Sequence, residues 1–339
     1  MSVQETDAAV GADGTVGALG ERAVLARIVA RLRSGDAAIV GPGDDCAVVR
    51  VPDGRTVITT DMMVHGPDFR FAWSGPEDLG WKAAATNLSD VAAMGARPTA
   101  LLVALAVPPT TPVAVLEGFA DGLRAACDAL APGCGVVGGD LSTSETFTVT
   151  VTALGDLDGG APVLRSGASV GDVVAVAGAL GVAARGLAML FRHGVDERGT
   201  PDASVLADWL ANADEGAREA VARQRRPRPP VESGVHASRA GATAMLDLSD
   251  GLAIDASRLA DASAVTIELD PATVPDGPEL YGGEDHGLLA TFPSDADLPA
   301  PFRAIGRVVA RSATAVTRAG APVDPIGWDP YTDWDGATG

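Results

Sequence analysis

Five short acidic motifs, each beside glycine or serine at the edge of an apolar segment, constrain this chain more than any other feature. They are Gly43-Asp44-Asp45, Asn87-Leu88-Ser89-Asp90, Gly138-Gly139-Asp140, Asp247-Leu248-Ser249-Asp250-Gly251 and Gly282-Gly283-Glu284-Asp285. One such acid shapes a turn or caps a helix. Spread over the whole chain and repeated in one design, they imply a fold that assembles them into a single site. Neighbouring carboxylates repel, so such a site calls for cations.

The first motif opens residues 41–61, which read as a glycine turn, a hairpin through Pro52-Asp53-Gly54 and a strand ending on Asp61. That hairpin is expected to return Asp61 toward Asp44 and Asp45. For Asp44 and Asp45 two readings stand, metal ligand or turn former, and Asp45 is assigned to neither. Hard oxygen donors, with no His or Cys pairs at ligand spacing, favour Mg²⁺ over zinc. The chain has a single lysine, Lys82, and it follows Trp81. A P-loop is therefore absent, and any nucleotide phosphates fall to metal ions, arginines and backbone amides.

A formal charge of −20 disfavours binding to a nucleic-acid backbone or an anionic membrane through a basic surface. The three cysteines, Cys46, Cys127 and Cys134, form no CxxC pair, which fits a reducing cytoplasm. The N-terminus lacks the basic start and apolar run of a signal peptide, and no apolar run reaches the length of a membrane span. The four histidines, His65, His193, His236 and His286, show no catalytic grouping and read as structural or exposed.

Along the chain, residues 1–18 read as a flexible leader and 21–33 as a helix. Strands are expected at 47–51 and 56–60. Ser74 and Glu77 resemble a capping box opening a helix over 77–94, on which Asn87 and Asp90 share a face. A strand at 99–107, a helix at 112–131 and strands at 136–138 and 147–154 follow, with Gly138-Gly139-Asp140 as a turn between the last two. A boundary near 155–165 separates an N-terminal domain, 19–158, from a C-terminal domain, 159–339. The second half starts with a strand at 173–177 and a helix containing Leu187, Met189 and Leu190. A charged helix over 208–223 ends before Pro227-Arg228-Pro229-Pro230. A strand at 243–248 runs into Ser249-Asp250-Gly251 and a helix at 252–259, and strands at 265–269, 288–292 and 305–309 complete an α+β reading. On extended backbone Asp247 and Ser249 share a face.

In order, Gly-Asp-Asp, Thr-Thr-Asp-Met, Asn-Leu-Ser-Asp-Val-Ala-Ala-Met-Gly-Ala, Gly-Gly-Asp, Asp-Leu-Ser-Asp-Gly-Leu and Gly-Gly-Glu-Asp make the chain resemble the thiamine-monophosphate kinases. These belong to the aminoimidazole ribonucleotide synthetase-like superfamily. The resemblance spans residues 20–328 and is specific as a set. It implies an N-terminal α+β domain that dimerises through its sheet, a C-terminal α+β domain packed on it, and Mg²⁺-assisted transfer of the γ-phosphoryl group of ATP to thiamine monophosphate. Carried over by motif, Asp44, Thr59, Thr60, Asp61, Asp90, Asp140, Asp247 and Asp250 would hold several magnesium ions, with Asp90, Asp61 and Asp250 central to catalysis. Gly139, Asp140, Arg165 and Ser249 would contact the nucleotide, and Asp68, Glu284 and Trp328 the acceptor.

Arg165 also reads as an ordinary surface arginine and Trp328 as core packing. Two departures from the family pattern fall at the acceptor side. Gly66-Pro67-Asp68-Phe69 replaces Gly-Val-His-Phe, and Gly-Gly-Glu-Asp is followed by His286-Gly287-Leu288 after a short 270–281 connection. The alternatives are another ATP-dependent enzyme of the superfamily with a different acceptor, or a non-catalytic nucleotide- or metal-binding relative.

Overall fold

The computed structural model, which describes residues 14–42 and 46–328, opens with a short helix α1 (Val16–Leu19). Val16 N donates to Thr111 O at 2.9 Å and Thr15 bridges to Pro112, so residues 14–18 of the expected leader are held against the body of the chain. Residues 1–13 lie outside the described residues. Helix α2 (Glu21–Val29) buries Val24 and Ile28. It stops short of residue 33 because Arg31 N and Leu32 N turn back to Ile28 O and Val29 O, tightening the last turn.

Strands β1 (Ala38–Val40) and β2 (Val48–Val49) pair with each other, whereas β3 (Val57–Val64) joins another sheet. The turn at Pro52-Asp53-Gly54 forms, with Gly54 at φ 75°, but the expected hairpin does not. A longer partner wins, since β3 pairs along its whole length, Val57 to Val64, with a later strand.

The chain continues through α3 (Pro76–Ala93), β4 (Arg97–Val107), α4 (Val113–Leu130), β5 (Gly135–Thr143) and β6 (Thr148–Asp156), and the four strands of that sheet stand in the order β3-β6-β4-β5. Helix α3 is capped one residue later than the expected box: the Asp78 carboxylate accepts from Gly75 N at 3.0 Å. The Gly-Gly-Asp motif is not a turn but lies inside β5, where a Cβ on Gly139 would come within 2.0 Å of Val103 O. Both helices cover one face of the sheet. They approach closely because side chains are missing where their backbones meet: a Cβ at Gly80 would reach Phe119 O at 2.0 Å, and one at Gly122 would reach Glu77 O at 2.1 Å.

The second half runs β7 (Val173–Ala177), α5 (Val182–His193), α6 (Ala203–Asn212), α7 (Glu215–Arg225), α8 (Val231–Arg239), β8 (Ala244–Leu248), α9 (Leu252–Ala262), β9 (Thr266–Leu269), α10 (Pro278–Tyr281), β10 (Gly287–Phe292), β11 (Arg303–Val309), β12 (Val316–Arg318) and β13 (Ala321–Pro322). Its sheet has the order β13-β12-β9-β11-β7-β10-β8. Where one charged helix was expected over 208–223, two form, because Asp214 accepts from Ala217 N at 2.7 Å and starts α7 afresh. Helix α8, straight after Pro229-Pro230, had no counterpart in the sequence reading.

Every residue of β8 and β10 is buried. Helix α3 explains part of that cover: it packs on α4 and its own sheet, and also against α8, β8 and β10 of the second half. A helix enclosed on so many sides must be rich in alanine, and residues 79–89 are all buried. Its polar residues thereby sit at the junction of the two halves. No described helix is long and apolar enough to cross a membrane.

Candidate active site

The junction gathers acids from both halves. On β3 alternate residues face α3, which directs Thr59 and Asp61 toward Asn87 and Asp90. Thr59 Oγ1 donates to Asp90 Oδ2 at 3.0 Å, and Asp61 N donates to Asn87 Oδ1 at 3.2 Å. From the same helix Ser89 reaches across, its Oγ donating to Asp247 Oδ2 at 3.1 Å. Asp247 is the penultimate residue of the buried strand β8, and Asp250 follows in the loop before α9, where Arg258 holds it at 2.5 Å.

The electrostatics follow from that gathering. Burial, then the charges of Asp247 and Asp61, push the Asp90 carboxyl up to about 7. Asp61 is raised as well, by burial first, with His286 opposing and Asp247 and Asp250 adding to the rise. Oxygen donors of this kind suit a hard divalent cation, which relieves their mutual repulsion. Among the described residues no three His, Cys, Asp or Glu side chains converge tightly enough to hold a metal ion as they stand. Asp44 and Asp45 lie outside the described residues.

Two expected ligands point elsewhere. Thr60 is one residue out of phase with Asp61, and on the open face of the sheet it donates to Val151 O at 3.0 Å and accepts from Thr152 Oγ1 at 3.1 Å. Asp140, with Gly139, is exposed on β5, at the opposite edge of the sheet from β3. Neither Thr60 nor Asp140 joins Asp61 and Asp90. Arg165 is exposed, and its backbone carbonyl accepts from Ser263 Oγ at 3.0 Å.

Next to the acids lies a pocket that contains all three expected acceptor residues, Asp68, Glu284 and Trp328. The loop Ser249-Asp250 ties two of them in place: Glu284 N donates to Ser249 O at 2.7 Å, and Trp328 N to Asp250 O at 3.1 Å. Glu284 sits at φ 67°, a left-handed conformation costly for a side-chain-bearing residue, which fixes where its carboxylate points. Asp68 accepts from Val64 N at 2.7 Å, and burial raises its pKa, with Glu284 adding and Lys82 opposing. Arg70 stacks over Trp73 and Phe191, giving the pocket an aromatic wall.

Several residues here carry no site role in the sequence analysis. Lys82, singled out only for its failure to form a P-loop, is buried and pairs with Glu284 at 2.7 Å. Gln224, from α7, donates to the other Glu284 oxygen at 2.5 Å. His286, which the sequence leaves as structural or exposed, is buried with its Nδ1 3.5 Å from both Asp247 Oδ2 and Ser89 Oγ. Burial disfavours its charged form, but the hydrogen bond and charge of Asp247 outweigh that and raise its pKa. Asp255 is pushed up to about 7 by burial and by Asp250 and Asp247, and accepts from Asp250 N and Gly251 N at 3.1 Å each. For Lys82 the signal was present, since a lone lysine inside an apolar helix needs a buried acid.

Residues 43–157 match the model of the AIR synthase related protein, N-terminal domain. Over 337 residues the chain is 40% identical to the thiamine-monophosphate kinase of Mycobacterium tuberculosis, covering 94% of this chain and 92% of that one. It is 34% identical to the thiamine-monophosphate kinase of Escherichia coli over 340 residues, covering 93% and 98%. Among solved structures it resembles AaThiL complexed with AMPPCP and TMP, at a TM-score of 0.70 and 30% identity over 91% of this chain and 96% of that one.

Proposed function

The chain belongs to the thiamine-monophosphate kinase family, and on that premise we propose how its own residues divide the work of ATP-dependent phosphorylation of thiamine monophosphate. The observation that carries the assignment is the junction itself: Asp61 and Asp90 from one half and Asp247 and Asp250 from the other, beside one pocket holding Asp68, Glu284 and Trp328. Phosphoryl transfer asks a protein mainly for positioning and for charge stabilisation. The two neighbouring regions supply one of these each.

Asp61, Asp90, Asp247 and Asp250, with Asp44 and the Thr59 hydroxyl, are the proposed Mg²⁺ ligands, and Asp90, Asp61 and Asp250 are the residues on which turnover depends. Mg²⁺ bound there supplies the positive charge that lets two phosphate-bearing substrates lie side by side. The residues fit, because they offer only oxygen donors and because the Asp90 carboxyl is raised by burial and then by its acidic neighbours Asp247 and Asp61. Ser249 is proposed as a nucleotide contact from the loop between β8 and α9, with Gly139, Asp140 and Arg165 on separate, exposed surfaces. Thr60 faces away from this group and is left out of it.

In the pocket, Glu284 and Asp68 are proposed to meet the cationic thiazolium and the amino group of the pyrimidine, with Trp328 offering an aromatic face. Lys82 and Gln224 hold the Glu284 carboxylate from two sides. The one hydroxyl described beside a histidine, Ser89, is fully buried and donates to Asp247 rather than facing the pocket, which favours direct attack by the acceptor phosphate on the γ-phosphorus, without a phosphoenzyme.

The division at residues 158 and 159 belongs to the same proposal, supported by the separate sheets on either side. So does a homodimer, in which a second copy covers the open face of the four-stranded sheet; Ile58, Met62 and Leu102 are exposed there, Ile58 by 65%. The cytoplasm is the proposed location. The test is a coupled assay of purified protein with ATP, Mg²⁺ and a panel of thiamine, thiamine monophosphate and aminoimidazole precursors. ADP release strictly dependent on thiamine monophosphate is expected, and turnover of thiamine at the same rate would overturn the acceptor assignment. Light scattering at micromolar concentration tests the dimer.

A further inference from the structure

On the far side of α7 from the acceptor pocket is a second cavity, of about 140 Å³, lined by Asp78, Glu219, Arg223, Arg225, Arg226 and Arg228. Its charges do not balance. Arg226 pairs with Asp78 and, at 3.3 Å, with Glu77, and Arg223 pairs with Glu219 at 2.6 Å. The acids are thereby taken. Arg225 and Arg228 make no hydrogen bond or ion pair with any described residue, and Arg225 Nε is buried without a hydrogen-bond acceptor.

A helix C-terminus attracts cations, and that alone accounts for an arginine near the end of α7. It does not account for one whose Nε is withdrawn from water. A long cationic side chain with no partner ordinarily keeps its head in solvent. A buried donor without an acceptor is instead what a ligand site leaves when its protein half is read alone. Burial lowers the pKa of Arg225, and Arg226 adds to that against the pull of Asp78. The backbone that follows is stiffened by Pro227, Pro229 and Pro230, so Arg228 is held beside α7 rather than on a loose loop.

We propose that this cavity binds an oxyanion of the phosphate class, held between the guanidinium groups of Arg225 and Arg228. A guanidinium fork pairs bidentately with a carboxylate or a phosphate, but a tetrahedral, multiply charged oxyanion presents oxygens to two forks at once, and a halide offers neither geometry. In a chain with a formal charge of −20, a local excess of arginine selects a compact, multiply charged anion. The site is separate from the acceptor pocket, though it shares two walls with it. Gln224 precedes Arg225 on α7, and Lys82 lies one turn beyond Asp78 on α3.

The test is isothermal titration of the full chain with orthophosphate and, separately, glycerol phosphate, in EDTA so that metal-dependent binding at the acidic junction does not contribute. Chloride and acetate at matched ionic strength are the controls. Saturable binding of one phosphate probe, weakened about tenfold or more in an R225Q/R228Q variant, is expected. Tighter orthophosphate identifies a free ion as the ligand class, and tighter glycerol phosphate a phosphorylated metabolite. Absence of saturable binding, or equal affinity in the variant, overturns the proposal. Should R225Q/R228Q fail to fold, the exposed R228Q single variant decides, since unchanged affinity there is equally fatal.

Discussion

The acidic junction and the acceptor pocket are neighbours, yet they treat their central carboxylates, Asp90 and Glu284, in opposite ways. In the junction, acids are buried against one another, and Asp90 is raised to about 7 by burial and by Asp247 and Asp61. In the pocket, Glu284 has a lysine at 2.7 Å and a glutamine amide on its other oxygen. The difference teaches what each region is for. A carboxylate supplied with protein partners is fixed in place and can recognise, whereas acids left to repel await a cation from outside.

The largest effect expected from this contrast is at Asp90. Asp90→Asn should lower turnover by about a hundredfold or more, since a charge that stabilises the reacting phosphates is lost. The same change should leave the metal-free fold intact or firmer. Steady-state kinetics with saturating Mg²⁺ and thermal unfolding in EDTA check both halves; near-normal turnover would erase the contrast.

Next comes Lys82→Met, which strips Glu284 of its counter-charge. It should raise KM for thiamine monophosphate about tenfold while leaving KM for ATP nearly unchanged, because the effect is confined to the pocket. Equal changes in both constants would mean that Lys82 serves the whole site.

Smaller is a pH effect on stability without metal. Asp90 and Asp255 have folded-state pKa values raised to about 7. Between about pH 4 and pH 7 the unfolded chain therefore binds fewer protons at these groups than the folded one, and stability falls as pH rises through that window. Denaturant titrations in EDTA should show the decline, and saturating Mg²⁺ should reduce it. An increase in metal-free stability from these acids over that range would contradict the sign.

The smallest effect separates the two faces of β3. Thr59→Val removes a hydroxyl donated to Asp90 at 3.0 Å, and Thr60→Val one that donates to Val151 O. Thr59→Val should reduce the apparent Mg²⁺ affinity severalfold, read by Mg²⁺ titration of activity. Thr60→Val should alter it much less, and the reverse order would place the metal on the open face.

Much of the framework was legible because it rests on local chemistry. The expected strand over 173–177 is β7, and helix α3 lies within one residue of the expected range. Both are marked by apolar pattern and by glycine or proline at their ends. Misreadings arose where a distant partner decided. The segment before Pro52 pairs with β1 rather than with β3, and the Gly-Gly-Asp motif was drawn into β5 by its pairing with β4. Asp214 split a charged helix through a cap that composition had blurred.

The sequence by itself determined the inventory: which acids stand beside glycine or serine, that phosphate binding must do without a P-loop, and that aromatic and acidic residues accompany the late motifs. Those follow from residue type and spacing. Only the tertiary structure decided which of them meet. Strand alternation put Asp61 on the covered face and Thr60 on the open one, and sheet order carried Asp140 to the far edge. Folding α3 between the halves brought Lys82 to Glu284, 202 positions along the chain, and Ser89 to Asp247. The physical reason is that charge compensation acts over a few ångströms of space, and no local pattern records which residues will share it.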